Sequence, residues 1–148
     1  MTGIVALAQR CSQYGDASQR LGELLGEWAR ADSHPAAAAM FAAHCHHLTW
    51  HATLFADRRP VSPADVAAPG AWAPFEAALA AAAEAGSTAA RVRAAYDGVA
   101  TLLVAAYQQH LAATDPRVDG PTARVLTLAL RDLDADLLEA AALASTLG

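Results

Sequence analysis

Asp57-Arg-Arg-Pro60-Val-Ser-Pro63-Ala-Asp-Val-Ala-Ala-Pro69-Gly70-Ala-Trp72-Ala-Pro74 decides how the rest of the chain is arranged. Four prolines and a glycine exclude a regular helix or a central strand here. Connections inside a domain are usually much shorter. Fully extended at about 3.3 Å per residue, this one reaches over ~40 Å, the length of a long helix. It therefore reads as a crossover running the length of a helical body, with Trp72 expected to pin it.

On either side the hydrophobic period is helical. Ile4, Leu7, Cys11, Tyr14, Ser18, Leu21, Leu25 and Trp28 keep a three-four spacing, which predicts a first helix over Gly3 to Arg30. Asp32-Ser33-His34-Pro35 stops it and starts a second, which runs to Ala56. Ser33 or Asp32 is the expected cap, and Pro35 suits a first turn. Glu23 and Glu27 read as a solvated pair on the outer side of helix 1. Beyond the crossover, 75–85 is helical and Gly86-Ser87-Thr88 breaks or caps it. A main third helix spans Thr88 to Ala113, with Val92, Tyr96, Val99, Leu103, Ala106 and His110 inward. After the turn Thr114 to Pro121, a fourth helix runs to Thr146, with Leu126, Leu130, Leu133, Leu137, Ala140 and Leu147 inward. Two short links and one long central one predict an all-α, single-domain four-helix bundle (1–148) whose crossover joins helices 2 and 3.

Composition narrows the function classes. The chain has 148 residues, a net charge of −5, and ten basic residues that are all arginine and form no cluster. Nucleic acid is not an expected partner. No long uninterrupted apolar window predicts a membrane span, and the N-terminus lacks a secretory pattern. The two cysteines, Cys11 and Cys45, fall on apolar helical faces, so reduced thiols in a cytoplasmic protein are expected.

The chemistry is concentrated in Ala43-His44-Cys45-His46-His47-Leu48-Thr49-Trp50-His51, which holds four of the six histidines. At about 100° per residue, His44 and His51 lie roughly 20° apart and His47 roughly 40° from His51. Three imidazoles thus share an apolar stripe with Met40, Phe41, Leu48 and Phe55. His46 points away and His34 sits in a turn. Levelling the helices against one another brings His110, Tyr14, Ser18, Tyr96, Tyr107 and Trp50 toward the same interhelical pocket. On helix 4, Asp132, Asp134 and Asp136 alternate, so they are not expected to share a face; Asp134 and Asp136 read as flanking positions. Arg58-Arg59 reads as a solvated helix end.

Two stretches carry a family resemblance. One is Trp50-His51-Ala52-x-Leu54 followed by Arg58-Arg59-Pro60. The other is Tyr107-x-x-His110-Leu-Ala-Ala-Thr-Asp-Pro116-x-x-Asp119-Gly120-Pro121-Thr122-x-Arg124-Val-Leu126, followed by Leu130-Arg131-Asp132. With the helix pattern they resemble the ferritin-like superfamily, and more narrowly the small ferritin-like proteins encoded widely in actinobacteria. The resemblance implies a ferritin-like four-helix bundle. It also implies a di-iron site built from one Glu on each of two helices and Glu-x-x-His on the other two. Here Ser18 stands on the inner face of helix 1, His44-x-x-His47 replaces Glu-x-x-His, and helix 4 carries no histidine. The usual di-iron ligand set is therefore missing.

Three functions fit these residues. The favoured one is a metal-independent acid–base enzyme acting on a small, mainly apolar organic molecule by isomerisation, cyclisation, elimination or hydrolysis. His44, His47, His51 and Tyr14 would be catalytic, and His110, Ser18, Tyr96, Tyr107 and Trp50 would line the substrate pocket. The second is a zinc, copper or nickel site on His44, His47, His51 and His110, with an Asp as the alternative to His110. The third is a ligand carrier or a homodimeric scaffold joined through the alanine-rich stretch 78–83.

Overall fold

The computed structural model describes residues 3–61 and 70–147, and every regular element among them is helical. Helix α1 spans Ile4–Ala31, α2 Pro35–Arg58 and the short α3 Ala73–Ala83. Helix α4 runs continuously over 88–112: α-helical at Thr88–Val92 and Thr101–Ala112, π-helical at Arg93–Ala100 between them. Helix α5 spans Gly120–Ala144. Of the proline-rich stretch, 62–69 lies outside the described residues, including Pro63 and Pro69. Trp72, expected as the pin, is half-buried, stacked on Phe75 and edge-on to Tyr14.

Helix ends show why the chain turns where it does. Helix α1 stops where Asp32 takes extended backbone. The expected cap of α2 was Ser33 or Asp32, but His34 fills it, its Nδ1 accepting from the Ala37 N–H at 3.2 Å. Asp32 instead accepts from the His34 N–H, Thr88 Oγ1 and Arg91 Nη1 at 2.9, 2.9 and 3.0 Å. Burial alone would raise the pKa of this carboxyl; the donors outweigh it and hold the group below its ordinary value. The α1–α2 turn is thereby tied to the start of α4.

A similar tie closes the opposite end. Asp119 caps α5 by accepting from the Thr122 N–H, and Arg58 reaches across from α2 to Asp119 and Thr122, each at 2.8 Å. Arg58 is thus not the solvated helix end expected from sequence. Its planar fork satisfies the cap of the neighbouring helix.

Pairings between helices give their directions. Gly15 meets Ala52 and Phe55 while Gly26 meets Cys45, so α1 and α2 are antiparallel. Tyr14 pairs with His110 and Asp32 with Arg91, so α1 and α4 are antiparallel. His44 reaches Glu139 and Arg58 reaches Thr122, so α2 and α5 are antiparallel. His44 also bonds Tyr96, and Phe55 packs on Tyr107, so α2 and α4 run parallel. Two parallel helices cannot be joined by a tight turn, and the long proline-rich connection lies between these two. Helix α3 lies against α1 and α4, held by Arg20–Glu76 and by buried Phe75 and Ala82. Tyr14, Phe41, Phe55, Leu103, Tyr107, Leu126 and Leu133 belong to one contiguous buried cluster. Among the described residues, no helix is long and apolar enough to cross a membrane.

Candidate functional site

The three stripe histidines meet a matching row of acids on α5. His44 and His51 are fully buried and His47 is partly exposed. Their spacing of three and four residues puts them on successive turns of α2. Asp132, Asp136 and Glu139, spaced four and three, occupy successive turns of antiparallel α5. His51 Nε2 lies 2.8 Å from Asp132. His47 Nδ1 lies 2.8 and 2.9 Å from the two oxygens of Asp136. His44 Nε2 lies 2.9 Å from Glu139 and 3.3 Å from Asp136. The result is a ladder of imidazole–carboxylate rungs across the α2–α5 interface.

Hydrogen bonding sets the tautomer of His44. The Tyr96 hydroxyl, buried and raised in pKa chiefly by burial, lies 2.7 Å from His44 Nδ1. It has no other acceptor among the described residues, so it donates to Nδ1. In the neutral ring the remaining proton is on Nε2, directed at Glu139 and Asp136. Tyr96 belongs to the π-helical part of α4, the kind of local irregularity often found beside functional groups.

The charge balance is unusual. Asp136 is only 3% exposed. Its pKa is raised by burial, against the opposing effects of the His47 hydrogen bond and the His44 and His47 charges. Histidines are the only side chains bonding Asp132, Asp136 and Glu139 among the described residues, and no arginine compensates them. Asp136, the buried member, needs its charge balanced, by protons on the imidazoles or by a cation, or else keeps its own proton. His44, Asp136 and Glu139 offer three ligand atoms within 4.8 Å of one another, so this group could hold a metal ion. Glu139, with its side chain 59% exposed, gives this end of the ladder access to solvent.

The remaining candidates lie elsewhere. Tyr14 bonds His110 Nδ1 at 3.0 Å and Ser18 bonds Tyr107 at 3.1 Å, both across the α1–α4 interface. The rings of Tyr14, Phe55 and Tyr107 pack mutually at 4.9 to 5.3 Å and fill the interior at that level. The single pocket expected to unite Tyr14, Ser18, Tyr107 and His110 with the stripe is therefore divided between two helix pairs. Trp50, also expected in the pocket, is 47% exposed on the outer surface. Clefts of about 530, 480 and 320 Å3 open between α1 and α2 beside Cys11 and Ser12, beside Leu111 and Leu128, and beside His110. His44, His47 and His51 line none of these three.

Sequence reasoning underweighted the acids. Grouping by adjacency puts Asp132 and Asp136 with Asp134, which breaks the face and argues against a paired-carboxylate catalyst; Glu139, which completes the face, is not among the residues expected from sequence. The recoverable signal was the pair of seven-residue spans, 44–47–51 and 132–136–139, whose internal spacings match when one helix is reversed. Compared with known proteins, the chain matches no protein-family model, no curated protein and no solved structure.

Proposed function

We propose that the chain is a ferritin-like helical bundle that binds one divalent transition-metal ion between α2 and α5, through His44 Nε2, Asp136 and Glu139. The observation that carries this reading is the convergence of one imidazole nitrogen and two carboxylates with no arginine to balance them. The parallel course of α2 and α4 supports the ferritin-like part. All the ligands come from one antiparallel helix pair, unlike the four-helix cage of di-iron proteins. His47 Nδ1 holds both Asp136 oxygens, including Oδ1, the one that His44 faces.

One nitrogen with two oxygens suits zinc, manganese, cobalt or ferrous iron better than copper(I), which prefers sulfur. Cys45 faces α1, beside Gly26, and does not join the set. Such an ion, with positions left for water, supplies Lewis-acid chemistry at the solvent edge marked by Glu139. The test is equilibrium dialysis of tag-free protein against zinc or manganese. Wild type is expected to take up one equivalent, Asp136→Asn and His44→Ala far less, and His51→Gln as much as wild type. Equal uptake by all four proteins would sink the reading.

A second reading rests on His51. Its Nδ1 is the one buried imidazole nitrogen left without a partner among the described residues, while Nε2 faces Asp132. Burial, opposed by Asp132, lowers the pKa of this ring. A neutral imidazole oriented by a carboxylate is the arrangement of a general base. On this reading the ladder carries acid–base chemistry without metal, and loss of turnover in His51→Gln with metal content unchanged would separate the two.

A further inference from the structure

The metal reading leaves Tyr14 and His110 unused, and their geometry makes a separate site. Arg10 Nη1 donates to the Tyr14 hydroxyl at 3.3 Å; a guanidinium can only donate. Tyr14 is 1% exposed, and its pKa is raised, chiefly by burial, so it keeps its proton. Among the described residues, that proton has one available acceptor, His110 Nδ1 at 3.0 Å. A buried hydroxyl proton without an acceptor is costly, so the bond direction follows. His110 Nδ1 accepts, and the proton of the neutral ring is on Nε2. Burial, and next the Arg10 charge, lower the pKa of His110 and keep it neutral.

The ring borders a cleft of about 320 Å3 between the first turns of α1 and the α4–α5 turn. Leu7, Ala113 and Val118 provide apolar wall. Most polar groups around the cleft are already engaged. Asp115 accepts from the Arg117 backbone and guanidinium, Asp119 from Thr122 and Arg58, and Thr114 Oγ1 donates to the His110 carbonyl. Two groups are left without a partner among the described residues, the donor His110 Nε2–H and the second oxygen of Asp119, an acceptor. A ligand here must offer an acceptor to the first and suits the second best with an N–H of its own. A negative charge would face Asp115 and Asp119, and a positive charge would have to compete with Arg117 and Arg58, which already pair with those two carboxylates.

We propose that this cleft binds a small, neutral carbonyl compound with a short aliphatic body, an amide, lactam or ketone, through a hydrogen bond from His110 Nε2. Tyr14 acts as a positioning residue by fixing the tautomer. The site is independent of the metal reading, since it shares no residue with the α2–α5 ladder.

The test is nitrogen-15 and proton NMR of the imidazoles of labelled full-length protein, with δ-valerolactam as the probe and piperidinium and pivalate as charged controls. In the free protein, His110 is expected as the Nε2–H tautomer; an Nδ1–H tautomer overturns the proposal without any variant. On titration, the lactam should shift the His110 resonances saturably with a millimolar dissociation constant, while the charged probes bind at least tenfold more weakly. His110→Leu should abolish the saturable response. Tyr14→Phe, which keeps the ring packed on Phe55 and Tyr107, should weaken binding several-fold by releasing the tautomer. Absence of a saturable shift up to tens of millimolar lactam, equal binding of the charged probes, or undiminished binding in His110→Leu would each refute the site.

Discussion

Removing one oxygen atom, in Tyr96→Phe, probes the ladder without altering its ligands. In the metal-free protein Tyr96 donates to His44 Nδ1 at 2.7 Å. An ion on Nε2 displaces the proton there and forces the other tautomer, so Nδ1 becomes the donor and the Tyr96 oxygen its acceptor. The ring of residue 96, edge-on to His44 at 5.5 Å, remains in the phenylalanine variant. Without the hydroxyl, the metal-bound state leaves a buried, ion-polarised N–H unpaired, at about 1–3 kcal/mol. In the metal-bound wild type the Tyr96 proton in turn loses its acceptor, and the metal-free variant leaves only a bare lone pair, so part of the cost cancels; the ion-polarised N–H, the stronger donor, outweighs the neutral hydroxyl. At about 1.4 kcal/mol per decade, the expected loss of affinity is about tenfold, the low end of the roughly 10–100-fold effect of outer partners of metal-bound histidines. Competition for zinc against a chromophoric chelator measures it, with urea unfolding of the metal-free protein as control. If unfolding shows the lost hydrogen bond while zinc affinity stays within about twofold, Tyr96 is only a core residue and the link between its hydroxyl and the ion is wrong.

Other consequences follow from the packing. Arg58→Ala removes both hydrogen bonds that hold the α5 cap; with both side chains of the ion pair 24% exposed, screening reduces the expected cost to about 1–2 kcal/mol. A lower urea midpoint with unchanged metal uptake is the expected result, and an unchanged midpoint would contradict it. At Gly22 an added Cβ would lie 3.2 Å from Thr49 Cγ2 and 3.3 Å from Leu48 Cβ. Overpacking of about 1–3 kcal/mol should exceed the helix-propensity gain of up to about 1 kcal/mol; Gly22→Ala should therefore lower the melting temperature, and a rise would show that the interface yields. The lowered pKa of His110 makes the unfolded chain bind the extra proton first as pH falls through its ordinary value of 6.5. This contribution to stability is present at higher pH and is lost on acidification toward the lower folded value. His110→Gln should flatten the dependence of unfolding free energy on pH between about 7 and 5, and a slope equal to wild type would refute the assignment.

The helices and their order were legible because apolar residues recur every three or four positions and because prolines crowd one connection. Burial of His44 and His51 was legible from the same period. What periodicity could not supply was the lateral pairing of helices. Tyr14 and His110 were levelled close to the stripe along the axis, but the rings of Phe55 and Tyr107 occupy the space between the helix pairs. The acids of α5 were hidden for a different reason. Grouping Asp132, Asp134 and Asp136 by adjacency obscured the set defined by helical spacing, which replaces Asp134 with Glu139. Arg58 also looked like a solvated end because its partners, Asp119 and Thr122, lie some sixty positions away, in the turn before α5 and in its first turn.

The most direct test of the central claim is anomalous X-ray scattering from crystals of tag-free protein equilibrated with zinc. The account predicts a peak between α2 and α5, about 2.0–2.2 Å from His44 Nε2 and from oxygens of Asp136 and Glu139. A fully sampled anomalous map with no peak there, or with zinc bound only at surface histidines such as His46, would contradict it.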